Sequence, residues 1–254
     1  MKKYIFNRLL QALVCLLLIT IIVFGLTHLS GDPVMLMVTP EATPDEIEAM
    51  RVSLGLKEPL YVQYWRFISK AVIGDFGKSL RWNIACLDIF MDRFPATILL
   101  GSAAMFFSAI LGIPIGIISA VKNGKLFDSI GKFFALLGQA MPAFWLGIML
   151  MMFFAVRLRV LPTSGMGTWQ QLVMPTVTLG WVFMSSLTRM TRSAMLDVLD
   201  SEYIKMARTV GVPANMVVWK QALKNALIPI ITIGALNFII LLNGSLNQFG
   251  AVLL

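Results

Sequence analysis

The sequence predicts an all-α fold: a polytopic transmembrane helical bundle of five spans, with a small helical insertion outside the membrane. Three observations carry that prediction. First, apolar residues make up 58% of the 254 positions and charged residues only 13%, with a mean hydropathy of +0.81, so too little polar material is present to cover a soluble body. Second, residues 9–29, 94–121, 133–156, 160–188 and 225–254 contain no Asp, Glu, Lys or Arg. The hydrocarbon core of a bilayer takes about 20 apolar helical residues to cross, and each block is long enough. Third, the charges gather where these blocks end. The net charge of +8 therefore does not describe a nucleic-acid surface, which would cluster bases with interleaved aromatics.

The chain is read in three parts: 1–29, 30–93 and 94–254. Lys2, Lys3 and Arg8 precede the first span. The run from Leu9 to Leu29 is too long for a signal-peptide core and has no Ala-x-Ala site after it, so it is an uncleaved span. Cys15 falls in that span and Cys86 outside it, and both read as structural thiols. His28 has no Cys, Asp or Glu at ligand spacing and reads as an interfacial polar cap. Residues 30–93 carry nine acids against seven bases and form the one sizeable polar segment. Thr43-Pro44-Asp45-Glu46 is a capping box with Pro at the first helical position. Ile47, Met50 and Leu54 then repeat at helical spacing up to Gly55 as C-cap. A second helix is expected after Pro59, with Tyr61, Tyr64, Trp65 and Ile68 on one side. Such a stripe lines the mouth of a ligand path or, more commonly, packs a small segment onto the membrane surface. Gly77-Lys78-Ser79 imitates the end of a phosphate-binding loop, but Val72 stands where that loop needs its first glycine.

The second span contains Gly112-Ile113-Pro114-Ile115-Gly116 and the third Pro142-Ala143-Phe144-Trp145-Leu146-Gly147; membrane helices tolerate Pro and Gly where neighbours satisfy the freed backbone groups. The turn Leu161-Pro162-Thr163-Ser164-Gly165 leads to a fourth span starting near Met174-Pro175. The fifth starts at Pro229 and carries Asn237, Asn243 and Asn247. The N-terminus, the 122–132 loop (three bases, one acid) and the 189–224 insert (six bases, three acids) alternate along the chain. The positive-inside rule places all three in the cytoplasm, at the cost of leaving Arg157 and Arg159 on the opposite side.

What the spans lack narrows the function. A proton- or ion-driven carrier needs ionisable groups at membrane depth, and these spans offer only Gln139, Asn237, Asn243, Asn247 and small hydroxyls. The sequence has no His-Glu-x-x-His helix, no Gly-x-Ser-x-Gly elbow and no paired carboxylates within a span, and so no catalytic, cofactor-binding or metal site. An enzyme and a self-powered carrier both become poor readings, and the energy for any transport must come from another subunit.

The insert at about 191–225 is built to receive it. Asp200 and Ser201 suit the N-cap of a helix starting at Glu202. Tyr203, Met206, Ala207 and Val210 fall on one apolar face, with Glu202, Lys205 and Arg208 on the other. Gly211 breaks this helix and Pro213 suits the first turn of a second one, which sets Met216, Trp219, Leu223 and Leu227 against Lys220, Gln221, Lys224 and Asn225. Periodicity alone fits two uses equally: two short helices lying in a groove of a partner protein, or an interfacial pair lying on anionic lipid.

The insert resembles the cytoplasmic "EAA" loop of ATP-binding-cassette importer permeases. Ala207 stands at that pattern's second alanine, Gly211 at its glycine, and Ala226-Leu227-Ile228-Pro229 at its closing apolar-proline element; Lys205 and Met206 stand where Glu and Ala occur in the general pattern. Gly31-Asp32-Pro33, Leu54-Gly55-Leu56 with Pro59-Leu60 and Gln63-Tyr64, Gly74-Asp75-Phe76-Gly77, the Gly-x-Pro-x-Gly of span two, Pro142 to Gly147 and Leu161 to Gly165 match in order. From about residue 3 to about 245 the chain resembles the dipeptide/oligopeptide/nickel permease family, first-subunit type with the large outer loop. The resemblance implies an inner-membrane subunit working with a second homologous permease, two cytoplasmic ATPases and an extracytoplasmic solute-binding protein. It also implies ATPase docking through Glu202, Tyr203, Met206, Ala207, Arg208, Gly211 and Trp219, and a solute path near spans three to five, where Gln139, Asn237 and Asn243 lie. Di- or oligopeptides are the expected solutes, with glutathione or a nickel chelate as alternatives. The family continues into a sixth span, whereas this sequence stops at Leu254. A truncated, transport-inactive membrane docking subunit is therefore the rival expectation.

Overall fold

The computed structural model describes residues 2–29, 33–36, 38, 42–79, 82–165 and 167–252, the last nine of these by backbone alone. They divide into two compact units, Met1–Asp92 and Arg93–Leu254.

In the first unit, α1 (Lys2–Leu29) is one uninterrupted apolar helix without a buried residue. The capping box opens α2 (Pro44–Ser53) as the sequence predicts: the Glu46 amide donates to Thr43 Oγ1 at 3.4 Å, and the Thr43 amide returns a bond to the Glu46 carboxylate at 2.8 Å. The Thr43 bonds hold the Glu46 carboxyl below the usual range. Gly55, at φ +69°, turns the chain out of α2, and α3 (Leu60–Val72) starts directly after Pro59. Thr20, Phe24 and His28 of α1 face α3. The Thr20 and Tyr64 hydroxyls lie 2.9 Å apart, and His28 Nε2 lies 3.0 Å from Gln63 Oε1. His28 is thus tied to α3, and its Nδ1 lies 2.9 Å from the Phe24 carbonyl oxygen. The aromatic stripe divides: Tyr64 turns to Phe24, while Tyr61 and Trp65 remain 75% and 72% exposed. Gly77-Lys78-Ser79 lies in a loop closed by a single bridge between Lys78 and Ala85. Gly31 and Asp32 lie outside the described residues.

α4 (Cys86–Val121) crosses the boundary between the units and carries Pro95 and Pro114 inside one 36-residue helix. α5 (Leu126–Ala140) and α6 (Ala143–Leu150), which continues as a π-helical stretch over Met151–Arg157, are bent by 101° at their junction. Pro142 causes the break: it has no amide hydrogen to donate, and its ring forces Met141 into the extended region, at ψ 126°. The third predicted span is therefore two helices set at an angle, not one straight rod. α7 (Trp169–Leu199) starts earlier than expected and runs well past the charge-free block, so 191–199 is helix rather than loop. α8 (Glu202–Thr209) follows as a separate helix. A short α9 (Ala214–Met216), a π-helical turn (Val217–Ala222) and α10 (Leu223–Val252) then form one continuous rod. This corrects the expectation of two short helices and a span starting at Pro229: Pro229 lies inside α10, and the second amphipathic segment is the foot of the last span. Among the described residues, α1, α4 and the rod ending in α10 are long and apolar enough to cross a membrane, as is the bent α5–α6 pair taken together.

α7 is the axis of the second unit, packed by α5, α6 and α10. Its Gln170, Gln171, Thr176, Thr178, Ser185, Ser186 and Thr188 make it less apolar than the lipid-facing helices. From Gln171 to Thr188, however, no residue is exposed, so all of those groups except Gln170 are turned towards other helices. The Gly-x-Pro-x-Gly motif of α4 explains how α7 is seated. A Cβ at Gly112 would lie 2.9 Å from the Met184 carbonyl oxygen, and one at Gly116 would lie 2.6 Å from Thr191 Cβ. Only glycine allows the two backbones so close, which is how membrane helices gain packing where lipid offers no hydrophobic drive. Ser108 Oγ, buried in the same seam, lies 2.7 Å from the carbonyl oxygens of both Ala104 and Gly180.

Candidate functional site

The polar end of α7 carries the most highly organised chemistry in the described residues. Asp128, in the first turn of α5, is fully buried yet accepts bonds from donors on every side. Arg192 donates through Nε to Oδ1 at 2.7 Å and through Nη2 to Oδ2 at 3.0 Å. Ser119 Oγ donates at 2.6 Å, the Gly124 amide at 2.9 Å, and Lys132 Nζ stands 2.8 Å from Oδ2. Arg192 Nη2 also donates to Asn123 Oδ1 at 2.8 Å. Burying a carboxylate is costly unless it is paired and fully hydrogen-bonded, and here both conditions hold. The result is a clamp that fixes the α4–α5 turn to α7 about two turns before that helix ends at Leu199. Sequence reading counted Asp128 only as a loop charge, because its partner stands 64 positions away and no local pattern links them.

About two turns beyond the clamp, the chain turns at Asp200-Ser201 into α8. Ser201 occupies the N-cap in extended conformation, but its hydroxyl donates back to the Val198 carbonyl at 2.5 Å rather than capping α8. The residue that seats α8 is Ile204, which is completely buried. It joins one apolar core with Ile117 and Ala120 of α4, Leu187, Ala194 and Met195 of α7, and Val217, Ala222, Ala226 and Ile230 of the final rod. The π-helical turn aligns that rod with the core. Its extra residue brings Val217 and Ala222, five apart, onto one buried face before the normal spacing resumes at Ala226 and Ile230. Asn225 Nδ2 donates to the Tyr203 hydroxyl at 2.6 Å, a second tie between α8 and α10.

The predicted apolar face of α8 is correctly spaced, but only Ala207 packs against the core. Tyr203 is partly exposed, and Met206 and Val210 are 69% and 73% exposed; Met216 and Trp219 on the rod are half-exposed. α8 therefore has two apolar sides, one seated and one open. Glu202 is exposed and pairs with Lys205, whose ammonium also reaches Asp200, and these two partners raise the Lys205 pKa. Arg208 lines an open groove of about 690 Å³ together with Asn123, Asp197, Asp200 and Val218. Gly211 ends α8 at φ +86°, a left-handed conformation that a residue with a Cβ adopts only under strain. Its amide donates to Arg208 and that of Val212 to Ala207, closing the cap. Ile204 escaped sequence reasoning because it lies one position off the face set by Tyr203, Met206 and Val210; its three-residue spacing to Ala207 was the available signal.

The three solute-path candidates are not brought together. Gln139 is exposed near the end of α5, Asn243 is exposed on α10, and Asn237 is buried in α10. Asn237 Nδ2, Thr176 Oγ1 and Trp181 Nε1 are buried without a hydrogen-bond partner among the described residues. Nor does any group of three His, Cys, Asp or Glu among those residues have the geometry to hold a metal ion.

Comparison with known proteins accounts for this arrangement. Residues 112–247 match the family described as binding-protein-dependent transport system inner membrane component, and residues 1–101 match the N-terminal family of the same membrane components. The glutathione transport system permease protein GsiC of Salmonella paratyphi A is 40% identical over 247 residues, covering 97% of this chain and 81% of the relative. The same protein of Escherichia coli K12 is 40% identical over the same shares, and that of Salmonella typhi 39%. A transport permease, not an enzyme, is what this family comprises. The chain belongs to the inner-membrane components of binding-protein-dependent transport systems, as a permease subunit of an ATP-binding-cassette importer of the dipeptide/oligopeptide/nickel type.

Proposed function

We propose that this permease imports short peptides, glutathione foremost among them, and that α8 is the plug through which cytoplasmic ATPases drive it. One observation carries the coupling role: Ile204 is wholly buried in a core shared with α4, α7 and α10, while Tyr203, Met206 and Val210 on the same helix stay open. An amphipathic helix with an open apolar flank fits a groove in a partner. A force applied to that flank passes through Ile204 to three membrane helices at once. The clamp at Asp128 adds α5 to the moving body. Glu202, Arg208 and Trp219 border the plug, and Gly211 sets its end.

In this reading the N-terminus, the 122–132 loop and α8 face the cytoplasm, two ATPases meet the plugs of two permeases, and a binding protein delivers the solute from outside. The second permease completes the solute path beside Asn237, Gln139 and Asn243. Glutathione is itself a short peptide, so the relatives named for its transport and the resemblance to peptide permeases support one solute class.

The test is uptake by the complete complex in proteoliposomes, with labelled glutathione and a labelled dipeptide supplied to the binding protein. ATP-dependent accumulation of either supports the peptide reading, with glutathione expected to accumulate faster. No accumulation of either, from a complex that still hydrolyses ATP, sinks it. Replacing Ala207 with Trp, or Gly211 with Val, is expected to abolish co-purification of the ATPase while leaving the subunit in the membrane. Unchanged co-purification would refute the plug.

A further inference from the structure

We propose that the exposed flank of α3, formed by Tyr61, Trp65 and Val72, lies in the interfacial layer of the same membrane that α1 crosses, with lipid as its partner. The inference rests on reading α1 as a span, and it follows from how α3 is rolled against α1. The charge-free stretch 9–29 is about 31 Å long as a helix, close to the hydrocarbon thickness of a bilayer. His28 stands at its outer end, and Thr20 is about 12 Å deeper.

Three contacts are spread along this depth. Gln63 meets His28 at 3.0 Å, the Phe67 ring stacks on Phe24 at 6.3 Å, and the Tyr64 hydroxyl meets Thr20 at 2.9 Å. At about 100° per residue, Gln63, Phe67 and Tyr64 follow one another around α3 in that order, from the water end of α1 towards its middle. Continuing in the same sense come Ile68, Tyr61, Val72 and Trp65. Going the other way come Lys70 and Arg66. The roll therefore turns the charged flank towards water, where Arg66 Nη2 donates to the Glu58 carboxylate at 2.6 Å. It turns the apolar flank towards the acyl chains.

That apolar flank is left open. Tyr61 is 75% exposed, Trp65 72% and Val72 80%. A contiguous apolar surface of this kind is unfavourable in water and marks a contact site. At this depth, beside a membrane helix, lipid is the contact that the geometry supplies. Tyr and Trp suit the position, because their rings are apolar while the hydroxyl and the indole N–H reach the headgroups. An amphipathic helix that lies in the interface with its apolar side sunk below the headgroups has this form. α3 would thus hold the outer segment against the membrane at a fixed roll, instead of letting it swing on the end of α1.

The experiment uses the full chain in phosphatidylcholine vesicles and reads the Trp65 fluorescence as the difference between the native chain and Trp65→Phe. The expected result is that brominated acyl chains remove most of the Trp65 component while aqueous iodide leaves it almost unchanged. Quenching by iodide but not by bromolipid would overturn the proposal in favour of an exposed, water-facing flank. Quenching by neither would overturn it in favour of a protein partner covering the stripe. A nitroxide at Val72→Cys, on a chain with Cys15 and Cys86 replaced by Ser, gives a second reading that keeps Trp65: collisions with oxygen should exceed those with a water-soluble nickel chelate. The same label at Leu13→Cys reports whether α1 itself spans, so a failure of that premise is told apart from a failure of α3 to lie in lipid.

Discussion

α1 and α7 are both long enough to cross a bilayer, yet they are written in opposite chemistries. α1 is Leu, Ile and Val for half of its 28 residues and has none buried. α7 intersperses its 31 residues with Thr, Ser and Gln and buries ten of them. The difference follows from what each helix faces. Lipid rewards continuous apolar surface and tolerates little else. A helix enclosed by other helices gains more from small residues that let backbones approach and from hydroxyls bonded to carbonyls. Hydropathy therefore finds the helix that touches lipid and underrates the helix that organises the bundle. The proposed coupling rests on the second kind: α7 carries Arg192 of the clamp and supplies Leu187, Ala194 and Met195 to the core that seats α8.

Substitutions in α1, matched with substitutions at the α4 and α5 residues that hold α7, sharpen this contrast. The largest effect is expected at the clamp. Asp128→Ala leaves Arg192 half-enclosed without its partner, and breaking a buried pair of this kind costs about 3–5 kcal/mol, whereas Arg8→Ala in α1 is expected to change little. Thermal unfolding of the purified subunit in detergent reads both, and the double variant Asp128→Ala/Arg192→Ala should cost less than the sum of the two single ones. Equal costs at Asp128 and Arg8 would mean that the clamp is no more than a surface pair.

Next in size is backbone approach. Gly116→Val drives a side chain into Thr191 and the Thr188 carbonyl, and is expected to cost about 3 kcal/mol, the upper end for overpacking. Gly25 of α1 has nothing within 4 Å of an added Cβ, so Gly25→Val should fall within about 0.5 kcal/mol of the native chain. The same unfolding measurement checks the pair, with the fraction extracted as monodisperse protein as a second readout. Smallest is Ser108→Ala in the α4–α7 seam, expected to cost about 0.6 kcal/mol, the average for a hydrogen bond between membrane helices. A larger loss at Ser108 than at Gly116 would mean that polar bonds rather than close packing hold α7 in place.

Much of this was legible in the sequence, and the boundary is instructive. The capping box at Thr43, the stop at Gly55 and the end of α8 at Gly211 are local features, each fixed by a few neighbouring residues, and the structure places them where the sequence does; the break before Pro142 was read instead as a proline tolerated inside one span. The functional reading of the Gly-x-Pro-x-Gly motif needed the partner helix, because Gly112 and Gly116 have meaning only against Met184, Thr188 and Thr191. The clamp and Ile204 were not legible: one joins residues 64 positions apart, and the other is a single apolar side chain whose burial depends on three other helices. The continuity of α9 with α10 was hidden for a different reason. Pro229 reads as a helix start, but in a helix already formed it is accommodated, as Pro95, Pro114 and Pro175 are.

Site-directed cross-linking between α8 and the ATPase tests the central claim most directly. Single cysteines are placed at Met206, Val210 or Ile204 in a chain with Cys15 and Cys86 replaced by Ser, and the assembled complex is oxidised against cysteines introduced along the permease-facing groove of the ATPase. The account predicts disulfides from Met206 and Val210, and none from Ile204, which instead stays shielded from thiol reagents. Cross-links from Ile204, or none from Met206 and Val210 in a complex that still transports, would contradict it.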